Sequence, residues 1–294
     1  MNVLSLFDGM SCGQIALDAL SIDVERYFAS EIKQHAIAIT SHNYPNTEYV
    51  GDVRGVKKSD FPKIDILLAG SPCQDFSQLN AKRHGLKGSK SSLFFEFLRV
   101  LESFSPHFFL LENVVMESNQ AATISRLVGV APVRIDAALI GPVHRNRLYW
   151  TNIPGEGRHL LGSYITAPEK RTAPFQGILD YGYTPKRKGY CLTCGNGGFP
   201  ITPHRKYHRW QLGGFGNLVF ESRSHYEDCR RAFRGKDFEN QVFGSLRTLN
   251  PTELERCHEI PAGYCDALTP RQTEDVIGDG WHVGTIKHIM KGLL

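Results

Sequence analysis

Short apolar runs recur through the first half of the chain, the first five of them closing on or followed by polar, glycine or cysteine residues: Val3–Phe7, Tyr27–Ser30, Glu48–Val50, Ile64–Gly70 and Phe108–Asn113, then Val133–Leu139 and Arg147–Ile153. Their lengths suit strands, and the stretches between them carry helical spacing. Leu93, Phe94, Phe97, Leu98 and Leu101, for instance, fall on one stripe of a helix. The run Ile64–Gly70 is almost wholly apolar, as expected of a strand covered on both faces. This alternation predicts an α/β fold with a doubly wound, mostly parallel sheet. No internal repeat or low-complexity segment interrupts it.

In such sheets ligands bind beyond the carboxyl ends of the strands, so the residues just after each apolar run carry the functional information. After the first run comes FDGMSCG, in which Phe7, Gly9 and Gly13 open a strand-to-helix turn. The spacing is Gly-x3-Gly and not the dinucleotide pattern G-x-G-x-x-G. Glu31 lies 22 residues beyond Gly9, where an acid can take ribose hydroxyls, and Asp52 can accept from an adenine amino group. Solvated loop acids are the plainer reading of each taken singly. Cys73 follows Ser71 and Pro72 directly after a buried strand, a placement suited to a nucleophile, though a lone thiol is also a small core residue. Glu112 ends an apolar run that would raise its pKa and keep it a proton donor, unless a neighbouring cation pairs with it. Arg145 and Arg147 alternate, so a strand pleat would present both on one face to one polar ligand.

Composition narrows the picture. The chain has 294 residues, 41% of them hydrophobic, enough for one large or two ordinary domains. No stretch approaches the ~18 consecutive apolar residues of a membrane span, and the start lacks the pattern of a leader. Seven scattered cysteines do not form a disulfide framework. An untargeted protein of the cytoplasm, with no membrane partner, is expected. Net charge is only +4, yet residues 156–249 hold 15 Lys and Arg against 8 Asp and Glu, and 13 of the 28 glycines. The boundaries expected from this are 1–155, 156–245 and a return segment 246–294.

Taken in order, FDGMSCG, Glu31, Asp52, GSPCQDFS, FFLLENVV and the R-x-R of HRNRLYWTNIPG resemble the cytosine-5 DNA methyltransferase family, and the stretch 245–290 resembles its last two motifs. Motif by motif the likeness is closest to the catalytic domain of the animal de novo DNA methyltransferases, with compact relatives in bacteria and phages. The resemblance implies a Rossmann-like catalytic domain dependent on S-adenosylmethionine, with a smaller target-recognition domain. It implies that a cytosine leaves the duplex stack. Cys73 then attacks its carbon 6, Glu112 holds ring nitrogen 3 and the exocyclic amine, Arg147 holds the carbonyl oxygen, and Arg145 supports the site. The cofactor would lie on Phe7, Gly9, Gly13, Glu31, Asp52, Pro72, Trp281 and Val283. Two departures stand out: Val143 replaces the Gln most relatives place two residues before the first Arg, and Asp279 replaces the usual Asn of the last motif, where an acid bears on cofactor affinity or choice.

The loop after Cys73 carries Ser77, Lys82, Arg83, Lys87 and Lys90 and is expected to close over DNA phosphates. The basic region adds Lys186, Arg187 and Lys188, then Arg205, Lys206 and Arg209, interleaved with aromatics as in a duplex-binding surface. Cys191, Cys194, His204 and His208 have zinc-like end spacings, but the middle gap is short, and core thiols with phosphate-facing histidines are the expected account, with no metal. An adaptor that binds DNA without catalysis would lack Cys73 or Glu112, both present. A transfer-RNA methyltransferase shares the fold but does not call for a separate basic region. A nicotinamide oxidoreductase is opposed by the missing glycine pattern. Monomer and homodimer both suit the sequence, with or without an accompanying restriction endonuclease, in a bacterial or phage setting.

Overall fold

A computed structural model describes residues 1–71, 91–159, 162–194, 202–213 and 216–294. Two compact units emerge: residues 1–136, 146–169 and 283–294 form the first, and residues 137–145 and 170–282 the second.

The first unit is built on a seven-stranded sheet. Its strands are β1 (Asn2–Leu6), β2 (Arg26–Ser30), β3 (Glu48–Tyr49), β4 (Ile66–Gly70), β5 (Phe108–Val114), β6 (Val133–Asp136) and β7 (Asn146–Thr151), in the order β3-β2-β1-β4-β5-β7-β6. All seven apolar runs are therefore strands. β1 to β5 are mutually parallel, while β7 runs antiparallel to both β5 and β6. The order reverses between β1 and β4, the switch point beyond whose carboxyl ends ligands bind in such sheets.

Helices α1 (Cys12–Ala19), α2 (Gln34–Asn43), α3 (Ser91–Phe104) and α4 (Ser118–Val128) make the connections. The stripe on α3 is the one expected: Phe94, Phe97 and Leu98 are buried, and Leu93 and Leu101 pack against the same core as Leu4, Leu67, Phe109 and Trp150. Arg99 of α3 donates to the carbonyls of Val53 and Val56 at 2.9 Å each, fastening the helix to the turn after β3. α4 begins in a capping box of Glu117 and Gln120 and ends on Gly129 at φ 79°, where a side chain would be strained. A short hairpin, β8 (Gly157–His159) with β9 (Gly162–Tyr164), follows the sheet.

The second unit has its own small core of Tyr207, Trp210, Leu218, Phe220, Cys229 and Phe243. It carries α5 (Pro203–Gln211), α6 (Arg223–Arg234), α7 (Pro251–His258) and α8 (Pro270–Asp279), and only isolated β-bridges among its described residues. The last helix, α9 (Val283–Met290), belongs to the first unit and packs on α1.

The divisions by contact and by composition differ in three places, the first being residues 137–145, which go with the second unit. Residues 156–169 go with the sheet, because Tyr164 and Ile165 lie against Gly155. Residues 246–282 go with the second unit, because α7 is fastened there: Glu253, fully buried, takes both ends of the Arg247 guanidinium at 2.7 and 2.8 Å and accepts from the Asp180 backbone N–H. Charge and glycine content do not record such contacts.

Candidate active site

The site begins at the turn after β1. Phe7, Gly9 and Ser11 adopt φ of 56°, 59° and 61°, so three of five consecutive residues lie in the left-handed region. At Gly9 a side chain would meet nothing within 4 Å: the backbone there faces open space. Gly13 is buried in the first turn of α1. The Gly9 N–H donates to Glu31 Oε2 at 2.7 Å, and Glu31 Oε1 accepts from the Ile32 and Lys33 N–H groups at 2.7 and 2.8 Å. The strand-end acid thus braces its own turn and the glycine turn together. Asp52 caps the next turn, accepting from the Arg54 N–H at 2.9 Å and pairing with its guanidinium at 3.0 Å, with its carboxylate still 45% exposed.

Two further residues sit on this rim that the sequence did not single out. Ile32, directly after Glu31, is 66% exposed, an apolar platform at a strand end. Asp8 accepts from the Tyr27 hydroxyl at 2.8 Å, and burial pushes its pKa up to about 6 despite hydrogen bonds from Ser5, Ser11 and Tyr27.

Beyond β4 and β5 the rim changes character. Glu112, 7% exposed, meets the Nε of Arg147 at 2.9 Å. Both side chains are nearly closed to solvent, at 10% and 15% exposure. Of the two readings open for Glu112, a carboxyl set among apolar groups and an acid paired with a cation, the structure has the second: β7 lies beside β5, and its pleat brings a guanidinium to the acid. Next to it, Asn113 is buried and donates to Ser71 Oγ at 2.9 Å while its own Oδ1 accepts from the Val114 N–H. This bond ties the end of β5 to the residue that follows β4. Asn113 was visible in the sequence only as the middle of ENV. Pro72, Cys73, Ser77, Lys82, Arg83, Lys87 and Lys90 lie outside the described residues.

Arg145 and Arg147 take different partners. Arg145 precedes β7, is 3% exposed, and donates to the carbonyls of Leu192, Gly278 and Asp279 in the second unit to which it belongs. The alternation predicted from a continuing strand stops at Asn146, where β7 begins. Trp281 and Val283 are buried at 9% and 1% exposure.

Of the basic residues, Arg187 and Arg205 are exposed, while Lys206 and Arg209 are half-buried on α5. Lys186 lies over the rings of Tyr190 and Trp210 at 4.9 and 5.1 Å. Lys188 donates to the carbonyls of Gly141 and Ala173 at 2.6 and 2.8 Å, a scaffold task. His204 and His208 pack on Phe238 and Phe233.

Residues 1–123 match the family model of the C-5 cytosine-specific DNA methylases. The match runs from β1 through β5 and into α4. The chain is 39% identical over 118 residues to the type II methyltransferase M.NgoBV of Neisseria gonorrhoeae, which covers 39% of this chain and 28% of that protein. It is 31% identical over 162 residues to the orphan methyltransferase M.SPRI of Bacillus phage SPR, covering 51% of this chain and 37% of the other. The matched stretches thus span about a third of these curated relatives. Among solved structures, Spodoptera frugiperda DNMT2 superposes with a TM-score of 0.73 at 17% identity over 99% of both chains. The Entamoeba histolytica methyltransferase EhMeth gives 0.71 at 15% identity, over 100% of this chain and 97% of that one. At these identities the superpositions establish the fold alone, a Rossmann-like α/β sheet, along essentially the whole chain.

Within the first unit, Gly9, Glu31, Asp52, Glu112 and Asn113 lie at successive strand ends of one sheet, and Arg147 joins them from β7. The unit therefore presents an open backbone turn with a neighbouring acid at one end of the rim. Toward the other end stands a buried acid-guanidinium pair.

Proposed function

We propose that the chain is a DNA cytosine-5 methyltransferase, moving a methyl group from S-adenosylmethionine to carbon 5 of a cytosine taken out of a DNA duplex. The observation that carries the reading is the Glu112–Arg147 pair, 2.9 Å apart and nearly buried, at a strand end of a methylase-family sheet. A carboxyl and a guanidinium so placed match the polar edge of a cytosine, which offers ring nitrogen and amine to the one and a carbonyl oxygen to the other.

The rim also fits the cofactor. The open space at Gly9 is the kind of cradle a side chain would fill, Glu31 stands beside it for the ribose, Asp52 is half-exposed for the adenine, and Ile32 offers an apolar face. Phe7, Gly13, Pro72 and Val283 complete the proposed set in the first unit. S-adenosylmethionine, when bound, supplies an electrophilic methyl carbon for the electron pair of cytosine carbon 5.

The chain's own residues do the rest. The Cys73 thiolate adds to carbon 6, and the electrons of the ring double bond move to carbon 5. Glu112 hydrogen-bonds ring nitrogen 3 and the amine so that charge does not strand in the ring. Arg147 holds the carbonyl oxygen; its five donors in a fixed fork let it keep Glu112 in place at the same time. Loss of the proton on carbon 5 re-forms the double bond and expels the Cys73 sulfur. Asn113, through Ser71, positions the chain that leads to Cys73. Arg187, Arg205, Lys206 and Arg209 of the second unit supply attraction for phosphates.

The test is incubation of the purified chain with unmethylated genomic DNA and S-adenosylmethionine, digestion to nucleosides and mass spectrometry, beside Cys73→Ala and beside transfer RNA as substrate. 5-Methylcytosine in DNA, formed by the intact chain and not by the variant, is expected. Modified cytosine in RNA alone, or none in either when both ligands bind, overturns the reading.

A further inference from the structure

Three metal-ligating side chains from two stretches of the second unit meet at one point. Asp275 and Asp279 lie four residues apart on α8, so their carboxylates share one face of the helix. Cys194 comes from a separate stretch, and its Sγ donates to Asp279 Oδ1. One ligand atom from each residue lies within 4.8 Å of the other two. Tetrahedral zinc, with bonds of about 2.3 Å to sulfur and 2.0–2.2 Å to oxygen, needs its ligand atoms roughly 3.5 Å apart, so binding would widen the Cys194–Asp279 contact while all three groups stay within reach of one ion.

The surroundings hold this geometry. At Gly278 a side chain would collide with the backbone of Thr193 and Cys194, so glycine lets the cysteine-bearing stretch come down onto α8. The guanidinium of Arg145, itself buried, donates to the Leu192 carbonyl on one stretch and to the Gly278 and Asp279 carbonyls on the other, at 3.2–3.5 Å, and clamps them together. Charge points the same way. Two carboxylates one turn apart repel, and the last turn of a helix is its negative end. A divalent cation relieves both. With one thiolate and two carboxylates the site would carry a net charge of −1, next to the Arg145 cation.

We propose that Cys194, Asp275 and Asp279 form a zinc site, with water as fourth ligand, that pins the Leu192–Cys194 stretch to the end of α8. The soft thiolate favours zinc over magnesium or calcium. Binding deprotonates Cys194 and releases that proton to solvent. The set differs from the one suggested by spacing: His204 and His208 pack on phenylalanine rings, and among the described residues the group that gathers is Cys194 with the two aspartates.

The full chain, freed of any tag and stripped with chelator, is titrated with zinc by calorimetry, and with cobalt(II) to follow the thiolate-to-metal charge-transfer band. One zinc per chain is expected, with affinity lowered at least about tenfold in Cys194→Ser and in Asp279→Asn, and the cobalt band lost in Cys194→Ser. Cys191→Ser and the pair His204→Ala with His208→Ala should change affinity by less than about twofold. Circular dichroism checks each fold, and Asp275→Asn serves where Cys194→Ser does not fold. Absence of saturable zinc binding, or binding that survives loss of Cys194 and of both aspartates, overturns the proposal. None of these readouts depends on methyl transfer.

Discussion

Replacing Glu112 by Gln removes one charge from an ion pair whose side chains are 10% and 15% exposed, with 2.9 Å between Oε1 and the Arg147 Nε. Breaking a fully buried pair by removing one partner costs about 3–5 kcal/mol, because the remaining charge is left in poor surroundings. Gln keeps an amide oxygen at the same place and the pair is not wholly sealed, so the expected loss of folding stability is about 2–3 kcal/mol. Chemistry should suffer separately. A positioned acid contributes about 10²- to 10⁴-fold to rate, or roughly 3–5.5 kcal/mol of barrier. Urea unfolding gives the first number and single-turnover methyl transfer at saturating DNA the second. DNA affinity should stay within about threefold, because the duplex is held mainly through its phosphates. A double-mutant cycle with Arg147→Gln should then show a coupling of about 1–3 kcal/mol, as for residues in direct contact. Unchanged stability with a normal rate would refute both the pairing and its place in the reaction.

Other outcomes follow from single contacts. Asn113→Ala leaves the buried Ser71 hydroxyl without the amide that now meets it, at a cost of about 1–3 kcal/mol, and should lower the single-turnover rate more than cofactor affinity; equal loss of both would deny the positioning role. Asp8 has a folded-state pKa of about 6 against an ordinary 3.8, so the folded chain holds the extra proton and the stabilising contribution is complete below pH ~4 and lost as pH rises through 6. Wild type should therefore lose roughly 2–3 kcal/mol relative to Asp8→Asn between pH 4 and 7 in denaturant titrations, and a flat difference would count against a buried carboxyl. Arg187→Ala should reduce the slope of log affinity for duplex against log salt by about 1, whereas Lys188→Ala should leave the slope alone and destabilise the fold by about 2–3 kcal/mol; the reverse pattern would exchange their roles.

The sheet is legible in the sequence because each strand lies in a short apolar run, and hydrophobic burial acts on that pattern directly. Even the helix stripe from Leu93 to Leu101 could be read this way. What periodicity could not show was strand direction: β7 follows β6 as an antiparallel neighbour and inserts beside β5, and this brings Arg147 to Glu112. A reading confined to local surroundings treats Glu112 as an isolated acid in an apolar run. Arg145 was misjudged for a related reason, since alternation along a strand applies only where the strand continues, and β7 begins one residue later. Asp8 and Asn113 were hidden because their importance lies in partners 19 and 42 residues away. The Cys194 cluster was hidden likewise, its ligands standing 85 residues apart in the chain.

The most direct measurement uses duplex DNA carrying 5-fluorocytosine at the target position together with S-adenosylmethionine. Fluorine on carbon 5 cannot leave as a proton, so the step that expels the sulfur is blocked and the protein should remain bound to the DNA after methyl transfer. A complex stable to denaturant, with the adduct located by peptide mass spectrometry on Cys73 and absent from Cys73→Ala, is the expected result. An adduct on another residue, or formation of 5-methylcytosine in ordinary DNA with no trapped complex on the fluorinated duplex, would contradict the covalent reaction assigned to this chain.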